Sequence, residues 1–346
     1  MLRKSFVMFC AALALSSASP FGSAASGPQQ AAYKGSDRIN LIVGYEAGGG
    51  YDLYARFIAP FLTKHLPGNP RIIVQNMPGA GSLKAANYLY NNAPKDGTAI
   101  GIVSQSVPQM ELLSQPGIQF QADKFSWIGR IADVRSLIGV WHGSGVKSIE
   151  DAKRREVAIA VGGPLSGSSL YVSFLNALSG TKLRPITGYG SREAMLAMER
   201  GEIDGSSSIL WTTLESQYPS WVQEKKIHIL TQVGSQRDPK LADVPLISEL
   251  PSNEQDKKIL EAIASSDIIG RSLLAPPGIP PARRAALRKA FMAALNDPEA
   301  QETARKMKLD LAPMDGEALQ KFIDASNQLP PDSIAKIRQL MNANKK

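Results

Sequence analysis

The sequence predicts an α/β protein that is built of two lobes with a central ligand cleft. Predicted strands and helices alternate from about residue 38 to about residue 235, which is typical of largely parallel sheets with crossover helices. The chain has 346 residues, and about 320 would remain after the loss of an N-terminal leader. That length exceeds what one hydrophobic core usually serves, so two lobes are expected.

The N-terminus has the order of a secretory signal peptide. Arg3 and Lys4 precede a short apolar run over residues 5–15, and small residues follow at 22–25. The run is too short to cross a bilayer, which needs about 20 apolar residues. We therefore predict a signal peptide over residues 1–25 and a periplasmic protein. No second apolar stretch is long enough to span a membrane, so direct membrane insertion is not expected.

Cysteine content and charge narrow the possible functions further. Cys10 is the only cysteine and lies within the leader, so a cleaved chain would have no disulfide, thiol chemistry or cysteine-ligated metal. The chain has 39 basic and 31 acidic residues and a net charge of +8, which becomes +6 when Arg3 and Lys4 are lost with the leader. The basic residues are scattered over the chain, so a nucleic-acid partner is not expected.

The predicted elements follow one another without a linker. Strands are expected near residues 39–45, 71–75, 98–104, 128–132, 138–141, 156–161, 183–187, 203–209, 227–233 and 272–275. Helices are expected up to about residue 64, after 82 and after 148, and at 169–178, 191–200, 281–295, 298–308, 315–327 and 331–343. Candidate capping residues are Ser82, Ser148 with Asp151, Asp315 and Asp332. Because no flexible linker is present, the chain is expected to cross between the lobes more than once.

Three loops that follow predicted strands are rich in glycine and small polar residues. They are GYEAGGGYD (44–52), QNMPGAGS (75–82) and VGGPLSGSS (161–169). Ligands of α/β proteins bind beyond the carboxyl ends of strands, where glycine allows close approach and helix N-termini favour anions. Each loop alone is more typical of a tight turn between strand and helix. The three together predict one shared cleft.

Motifs for catalysis or cofactor binding are not found in the sequence. The glycine loops lack the spacing of a dinucleotide fingerprint or a phosphate loop, and residues 163–167 do not form a nucleophile elbow. His65, His142 and His228 are far apart, which disfavours a zinc site or a serine–histidine–aspartate triad. No cofactor and no metal are predicted, and the chain is not expected to be an enzyme.

Six motifs occur in an order that resembles the Bug family, the extracytoplasmic receptors of tripartite tricarboxylate transporters. They are AGGGYDLYAR (47–56), VQNMPGAGS (74–82), KDGT (95–98), GEIDG (201–205), SQRDPKLADVPLISEL (235–250) and LLAPPGIPP (273–281). The resemblance runs from about residue 39 to the C-terminus, and the motifs are specific only in combination. It implies a type 2 periplasmic-binding-protein fold. Domain 1 would comprise 28–131 and 236–346, and domain 2 would comprise 132–235.

The resemblance also implies ligand-binding residues in loops of both lobes. The loops at 47–52 and 163–169 would grip carboxylates through backbone N–H groups and small hydroxyls, and the turn at 188–191 would lie nearby. The candidate residues are Glu46, Ala47, Gly48, Gly49, Asp52, Gly79, Ala80, Gly81, Ser104, Gly163, Ser166, Gly167, Ser168, Ser169 and Asp204. Asp52 and Asp204 could form a carboxylate pair for acid/base chemistry, but Asp52 is more typical of the first turn of its helix and Asp204 of a strand edge.

The sequence departs from the family pattern at the cleft. Family members usually have Phe and Pro or Ala where this chain has residues 44–46, and Val-Pro-Tyr-x-Gly where it has residues 186–190. A carboxylate at Glu46 would repel an anionic ligand if it faced the cleft. None of the three glycine loops contains an arginine or lysine, so an anion would be held by N–H groups and by serine hydroxyls. The hydroxyls are those of Ser166, Ser168 and Ser169.

These observations predict a monomeric receptor that captures a small carboxylate and delivers it to the inner-membrane subunits of a permease. A sensor that presents its closed form to a membrane kinase would have the same sequence features. An exported hydrolase is a third alternative, disfavoured because the sequence has no clear nucleophile–base pair. Retention of a chemically unchanged ligand would separate a receptor from an enzyme, and the neighbouring genes would separate transport from sensing.

Overall fold

The computed structural model describes residues 33–114, 116–163, 166–326 and 330–343. The signal peptide predicted over residues 1–25, and Cys10 within it, lie outside the described residues. Within the described ranges the chain is an α/β structure with two β-sheets, as the alternating pattern predicts.

Eleven strands form the two sheets of the described chain. They are β1 (Arg38–Val43), β2 (Arg71–Asn76), β3 (Ala99–Ile102), β4 (Ser126–Ala132), β5 (Ser136–Trp141), β6 (Val157–Ala160), β7 (Leu183–Ile186), β8 (Gly205–Leu210), β9 (Ile227–Gln232), β10 (Arg271–Ala275) and β11 (Met314–Asp315). The first sheet has the order β11-β4-β10-β3-β1-β2, and the second has the order β7-β6-β8-β5-β9. In each sheet three strands are parallel, β2-β1-β3 and β7-β6-β8, so their carboxyl ends share an edge.

Helices cover both faces of each sheet. They are α1 (Gly50–His65), α2 (Leu83–Asn91), α3 (Val107–Leu112), α4 (Ile149–Arg154), α5 (Gly167–Ser179), α6 (Ser191–Glu199), α7 (Trp211–Gln217), α8 (Pro219–Gln223), α9 (Glu254–Ile269), α10 (Pro281–Leu295), α11 (Pro298–Met307), α12 (Gly316–Ser326) and α13 (Pro331–Ala343). Short 3-10 helices lie at Ala80–Ser82, Ala122–Lys124, His142–Ser144, Pro239–Leu241 and Ile247–Glu249.

Alternating side chains place the apolar cores on the two faces of each sheet. Along β1, Leu41 packs in the cluster that contains α1 and α10, whereas Ile42 packs in the cluster that contains α2 and α12. The second sheet has the same arrangement: Ile159 packs with α5 and α9, and Ile209 packs with α6. Each sheet is therefore the middle layer of a three-layer lobe.

The chain passes between the two sheets at neighbouring segments. One segment joins β4 to β5, and the other joins α9 to β10 through Gly270. The N–H of Val134 donates to the carbonyl oxygen of Asp267 at 2.9 Å, which holds the two segments together. Gly270 has φ +52°, and a Cβ there would lie 2.2 Å from the carbonyl oxygen of Ala132. Glycine is therefore required where the segments meet.

The predicted caps have different outcomes. The Ser148 hydroxyl accepts the N–H of Asp151 at 3.2 Å, and the Asp315 carboxylate accepts N–H groups at the start of α12, so both are confirmed. Ser82 precedes α2, but its φ is +82° and its hydroxyl caps no N–H, so that prediction is wrong. Asp332 lies inside the first turn of α13.

The sequence did not predict α9, although its signals are present. The Asn253 side chain accepts the N–H of Asp256 at 2.9 Å, and Ile259 and Ile263 are buried in the core of the second sheet. Ile337 of α13 lies in the same core. Both helices fall in the 236–346 segment that the sequence assigned to domain 1, although their buried residues lie in the core of the second sheet. The domain boundaries themselves stay a prediction.

Candidate functional site

A cavity of about 660 Å³ lies where the carboxyl ends of the parallel strands of both sheets face each other. The first sheet contributes Tyr45, Tyr51, Ala80, Gly81, Ser104, Gln105, Ser106 and Arg271. The second sheet and its helices contribute Ser136, Gly162, Gly163, Ser166, Gly167, Ser168, Tyr171, Tyr189, Gly190, Ser191, Ser207 and Ser208. The lining is thus rich in glycine, hydroxyl groups and tyrosine rings from both lobes.

The structure brings about half of the sequence-predicted residues to this cavity. Those that line it are Ala80, Gly81, Ser104, Gly163, Ser166, Gly167 and Ser168. Those that do not line it are Glu46, Ala47, Gly48, Gly49, Asp52, Gly79, Ser169 and Asp204. In the first glycine loop the flanking tyrosines, Tyr45 and Tyr51, line the cavity instead of the glycines.

Asp52 lies behind the first glycine loop and stabilises its shape. It is 2% exposed, and its carboxylate accepts hydrogen bonds from the N–H of Gly48 at 2.8 Å, from Arg56 Nε at 2.9 Å and from Asn76 Nδ2 at 2.9 Å. The hydrogen bond from Arg56 is the main reason why the pKa of Asp52 is lowered to about 2. A carboxylate that is fully used in this way organises the loop and leaves the ligand to other groups.

Two further carboxylates from the predicted set lie outside the cavity. Asp204 Oδ2 accepts the N–H of Ala158 at 2.8 Å, and the Asp204 carbonyl accepts the N–H of Trp141 at 2.7 Å. These bonds join three strands of the second sheet at its edge. Glu46 is exposed and does not line the cavity, so the repulsion considered for a carboxylate at the cleft is not present in this structure.

The serine hydroxyls of the second-lobe loop bond mainly to the loop itself. Ser168 Oγ accepts the N–H of Gly162 at 3.1 Å and lies 2.9 Å from Ser166 Oγ, which in turn accepts the N–H of Ser169 at 3.3 Å. Ser169 Oγ donates to the carbonyl oxygen of Gly163 at 2.8 Å. The N–H groups of Gly167 and Ser168, the first two residues of α5, have no helical partner and are more available to a ligand than these hydroxyls.

A buried carboxylate beneath the cavity joins the two lobes. Asp267, on α9, is 1% exposed and accepts the N–H of Ser136 at 2.8 Å, Gln105 Nε2 at 2.9 Å and the hydroxyl of Tyr171 at 2.7 Å. The hydroxyl of Tyr51 extends this network by donating to Gln105 Oε1 at 2.6 Å. Burial raises the pKa of Asp267 to about 7. The sequence missed this residue because α9 was not predicted.

Arg271 is the one charged residue among the described lining residues, and the sequence missed it as well. It is the first residue of β10, and its guanidinium lies over the ring of Tyr54 at 4.7 Å and that of Tyr51 at 5.8 Å. Tyr51 stacks on Tyr45 with ring centroids 4.4 Å apart. Only a search for cations beyond the glycine loops would have found Arg271.

Among the described residues, no cluster of three or more histidine, cysteine or acidic side chains suited to a metal ion is found. None of the described helices is both long enough and apolar enough to cross a bilayer. His65 Nε2 lies 2.8 Å from the Asp297 carboxylate, and neither residue lines the cavity.

Comparisons with known proteins agree with this architecture. A family described as the tripartite tricarboxylate transporter family receptor matches residues 54–338. A UPF0065 protein from the gbd 5' region of Cupriavidus necator is 27% identical over 290 residues, which cover 82% of each chain. A UPF0065 protein of Bordetella bronchiseptica is 27% identical over 216 residues, covering 61% of this chain and 62% of its own.

Solved structures show the same fold. A TctC solute-binding protein from Polaromonas has a TM-score of 0.64 at 21% identity, over 89% of this chain and 99% of its own. MatC from Rhodopseudomonas palustris, with bound malate, has a TM-score of 0.62 at 19% identity, over 88% and 98%. A second R. palustris protein, with adipate, has a TM-score of 0.63 at 19% identity, over 88% and 97%. The chain therefore has the type 2 periplasmic-binding-protein fold and belongs to the tripartite tricarboxylate transporter receptor, or Bug, family of solute-binding proteins.

Proposed function

We propose that the protein is a periplasmic receptor that captures a small carboxylate between its lobes and delivers it, as a monomer, to a tripartite tricarboxylate-type permease. The observation that carries this proposal is the cavity at the facing carboxyl ends of both sheets. Its lining comes from both lobes, and its described residues include no aspartate, glutamate or lysine. Such a site suits a small anionic ligand better than a cationic one.

The residues proposed to contact the ligand come from three loops. Gly81 and Ser104 would approach it from the first lobe, and Gly163 and Gly167 from the second. The start of α5 presents N–H groups that suit a carboxylate oxygen. Two related solved structures hold malate and adipate, which supports a carboxylate as the ligand class.

The two lobes are proposed to close on the ligand by a hinge at the crossing segments. These segments are short, and they are linked by the hydrogen bond from Val134 to Asp267. A hinge of a few residues at the ends of secondary-structure elements is the usual means of closure in such receptors. Small-angle scattering should show a smaller radius of gyration when the ligand saturates the protein.

The proposal predicts that the protein binds a carboxylate without converting it chemically. Purified protein would be titrated by calorimetry with malate and with adipate, and each mixture would then be examined by mass spectrometry. A receptor retains the compound chemically unchanged, whereas a hydrolase consumes a suitable substrate. If neither these nor other small mono- and dicarboxylates stabilise the protein against heating, the proposed ligand class is wrong.

Delivery to a permease needs a cellular measurement. A strain that lacks the gene should take up the radiolabelled carboxylate more slowly, and expression of the exported protein should restore uptake. Normal uptake in the deletion strain, together with loss of a transcriptional response to the compound, would favour the sensor instead.

A further inference from the structure

Arg271 is the one cationic side chain among the described residues that line the cavity, and the other described lining residues are neutral. Arg271 is half-buried at the start of β10. Its Nε is buried and has no hydrogen-bond partner among the described residues, and no described carboxylate forms an ion pair with its guanidinium. The charge is therefore not neutralised by the part of the protein that the structure describes.

Other half-buried arginines of the same lobe are bonded. Arg130 donates to the carbonyl oxygens of Ala312 and Ile268, and Arg288 donates to two further backbone carbonyls, all at 2.6 to 3.0 Å. A buried polar group without a partner is costly, and a buried charge more so. Unlike Arg130 and Arg288, Arg271 would thus gain hydrogen bonds from its guanidinium to an external anion.

The surroundings fix the direction in which Arg271 offers its donors. The rings of Tyr51 and Tyr54 hold the guanidinium by cation–π contacts. Its Nη2 lies 3.6 Å from the position that a Cβ on Gly50 would take, beside the first turn of α1.

We propose that Arg271 binds the carboxylate of the ligand directly and sets the preference of this receptor for acids over their neutral analogues. The inference rests on the proposed function and deepens it. The planar guanidinium can give a carboxylate two parallel hydrogen bonds, which a lysine cannot. The rest of the ligand would lie along the stacked rings of Tyr45 and Tyr51 and the apolar side chains of Met110 and Val134. The ligand would then present a carboxylate to Arg271 and an apolar or aromatic part to these rings.

The test compares matched probes on matched variants. Hexanoate, adipate and hexanamide would be titrated against the wild type, Arg271→Gln, Arg271→Lys and Arg71→Gln. Arg71 is the control because it is also the first residue of a strand in the first sheet, but it is exposed and does not line the cavity. Hexanamide keeps the apolar body of hexanoate without its charge, so it isolates the contribution of the carboxylate.

Arg71→Gln should match the wild type in its affinity for hexanoate and for adipate. Both proteins should bind hexanamide far more weakly. Arg271→Gln should lose about ten- to hundredfold in affinity for the acids, the range for hydrogen bonds to a charged group. Arg271→Lys should retain part of the affinity, because it keeps the positive charge but cannot donate two parallel hydrogen bonds. Equal binding of the acids by the wild type and Arg271→Gln would overturn the role of Arg271 while the proposed function stands. Failure of every carboxylate to bind the wild type would overturn both.

A second measurement needs no variant to fold well. In protein labelled with ¹⁵N-arginine, the buried Nε–H of Arg271 gives a signal that is assigned by its loss in Arg271→Lys. Hexanoate should shift this signal and hexanamide should leave it in place. A signal that does not move at a hexanoate concentration that saturates the protein would overturn the inference.

Discussion

Two ionisable side chains four residues apart, Asp267 and Arg271, have opposite environments. Asp267 is fully buried beneath the cavity, and donors from both lobes satisfy its carboxylate. Arg271 lines the cavity and has aromatic neighbours but no hydrogen-bond acceptor among the described residues. The saturated group serves the fold, and the unsaturated group is available to a ligand. Whether an ionisable side chain already has hydrogen-bond partners therefore distinguishes a structural role from a functional one better than its position in a motif does.

The same criterion applies to the other carboxylates near the cleft. Asp52 and Asp204 are bound by backbone N–H groups or by Arg56, and neither lines the cavity. The acidic residues of this region are thus used to shape loops and strand edges. Among the described residues that line the cavity, Arg271 is the one that carries a charge.

Loss of the Asp267 carboxylate should have the largest effect on stability. In Asp267→Ala, the N–H of Ser136, the amide of Gln105 and the hydroxyl of Tyr171 lose their acceptor while they stay buried. We expect the free energy of unfolding to fall by about 3 to 5 kcal/mol, and Asp267→Asn to lose less because it keeps one acceptor. Urea unfolding followed by circular dichroism measures both.

The control for this change is Asp123→Ala, which removes a partly exposed carboxylate that pairs with Lys124 at the surface. It should alter the free energy of unfolding by less than about 0.5 kcal/mol. If Asp267→Ala were as mild as this control, the buried network would not hold the lobes together.

The free energy of unfolding should depend on pH through the titration of Asp267. The pKa of Asp267 in the folded protein, about 7, lies above its ordinary value of 3.8, so the folded state binds the proton more tightly than the unfolded state. The stabilisation is complete below about pH 4 and is lost as the pH rises to about 7, with a slope of at most about 1.4 kcal/mol per pH unit. Urea unfolding of the wild type and of Asp267→Asn across this range isolates the contribution, because other titrating groups cancel. A pH-independent difference would refute it.

The sequence predicts the fold better than it predicts the site. Alternating strands and helices have a local signal in hydrophobic periodicity, and nearly all predicted strands lie within a few residues of observed ones. The glycine loops at 75–82 and 161–169 also reach the cavity. The fold and the positions of these loops follow from the order of strands and helices along the chain, because the carboxyl ends of parallel strands lie at the same edge of a sheet.

The charges of the site depend on tertiary contacts that no local pattern reveals. Arg271 reaches the cavity because β10 runs antiparallel to β3, which places the start of one strand beside the end of the other. Ser168 was expected to offer its hydroxyl to a ligand, but that oxygen accepts the N–H of Gly162. Sequence shows that a polar atom is present, whereas only the folded structure shows whether it is already bonded.

The third prediction tests this distinction at the second-lobe loop. In Ser168→Ala, the N–H of Gly162 loses its acceptor, so the free energy of unfolding should fall by about 1 kcal/mol. Affinity for hexanoate should change by less than about threefold, far less than in Arg271→Gln. Ser191→Ala is the control, because Ser191 lines the same cavity but makes no side-chain hydrogen bond to a described residue. A tenfold loss of affinity at unchanged stability would show that the Ser168 hydroxyl contacts the ligand.

The smallest effect is expected from Glu46→Gln. A carboxylate at this position would weaken the binding of an anion only if it faced the cavity, but Glu46 is exposed and does not line it. Its influence on a ligand at Arg271 must then act through solvent, where charges are screened within about 8 Å at physiological salt. We expect hexanoate affinity in Glu46→Gln to equal that of the wild type in 0.15 M salt, and to rise by no more than about twofold at low salt. Calorimetry at two salt concentrations distinguishes a screened effect of Glu46 through solvent from a direct contact with the ligand. A tenfold gain that persists at high salt would place Glu46 in contact with the ligand, and the cleft would then have an acidic as well as a cationic side.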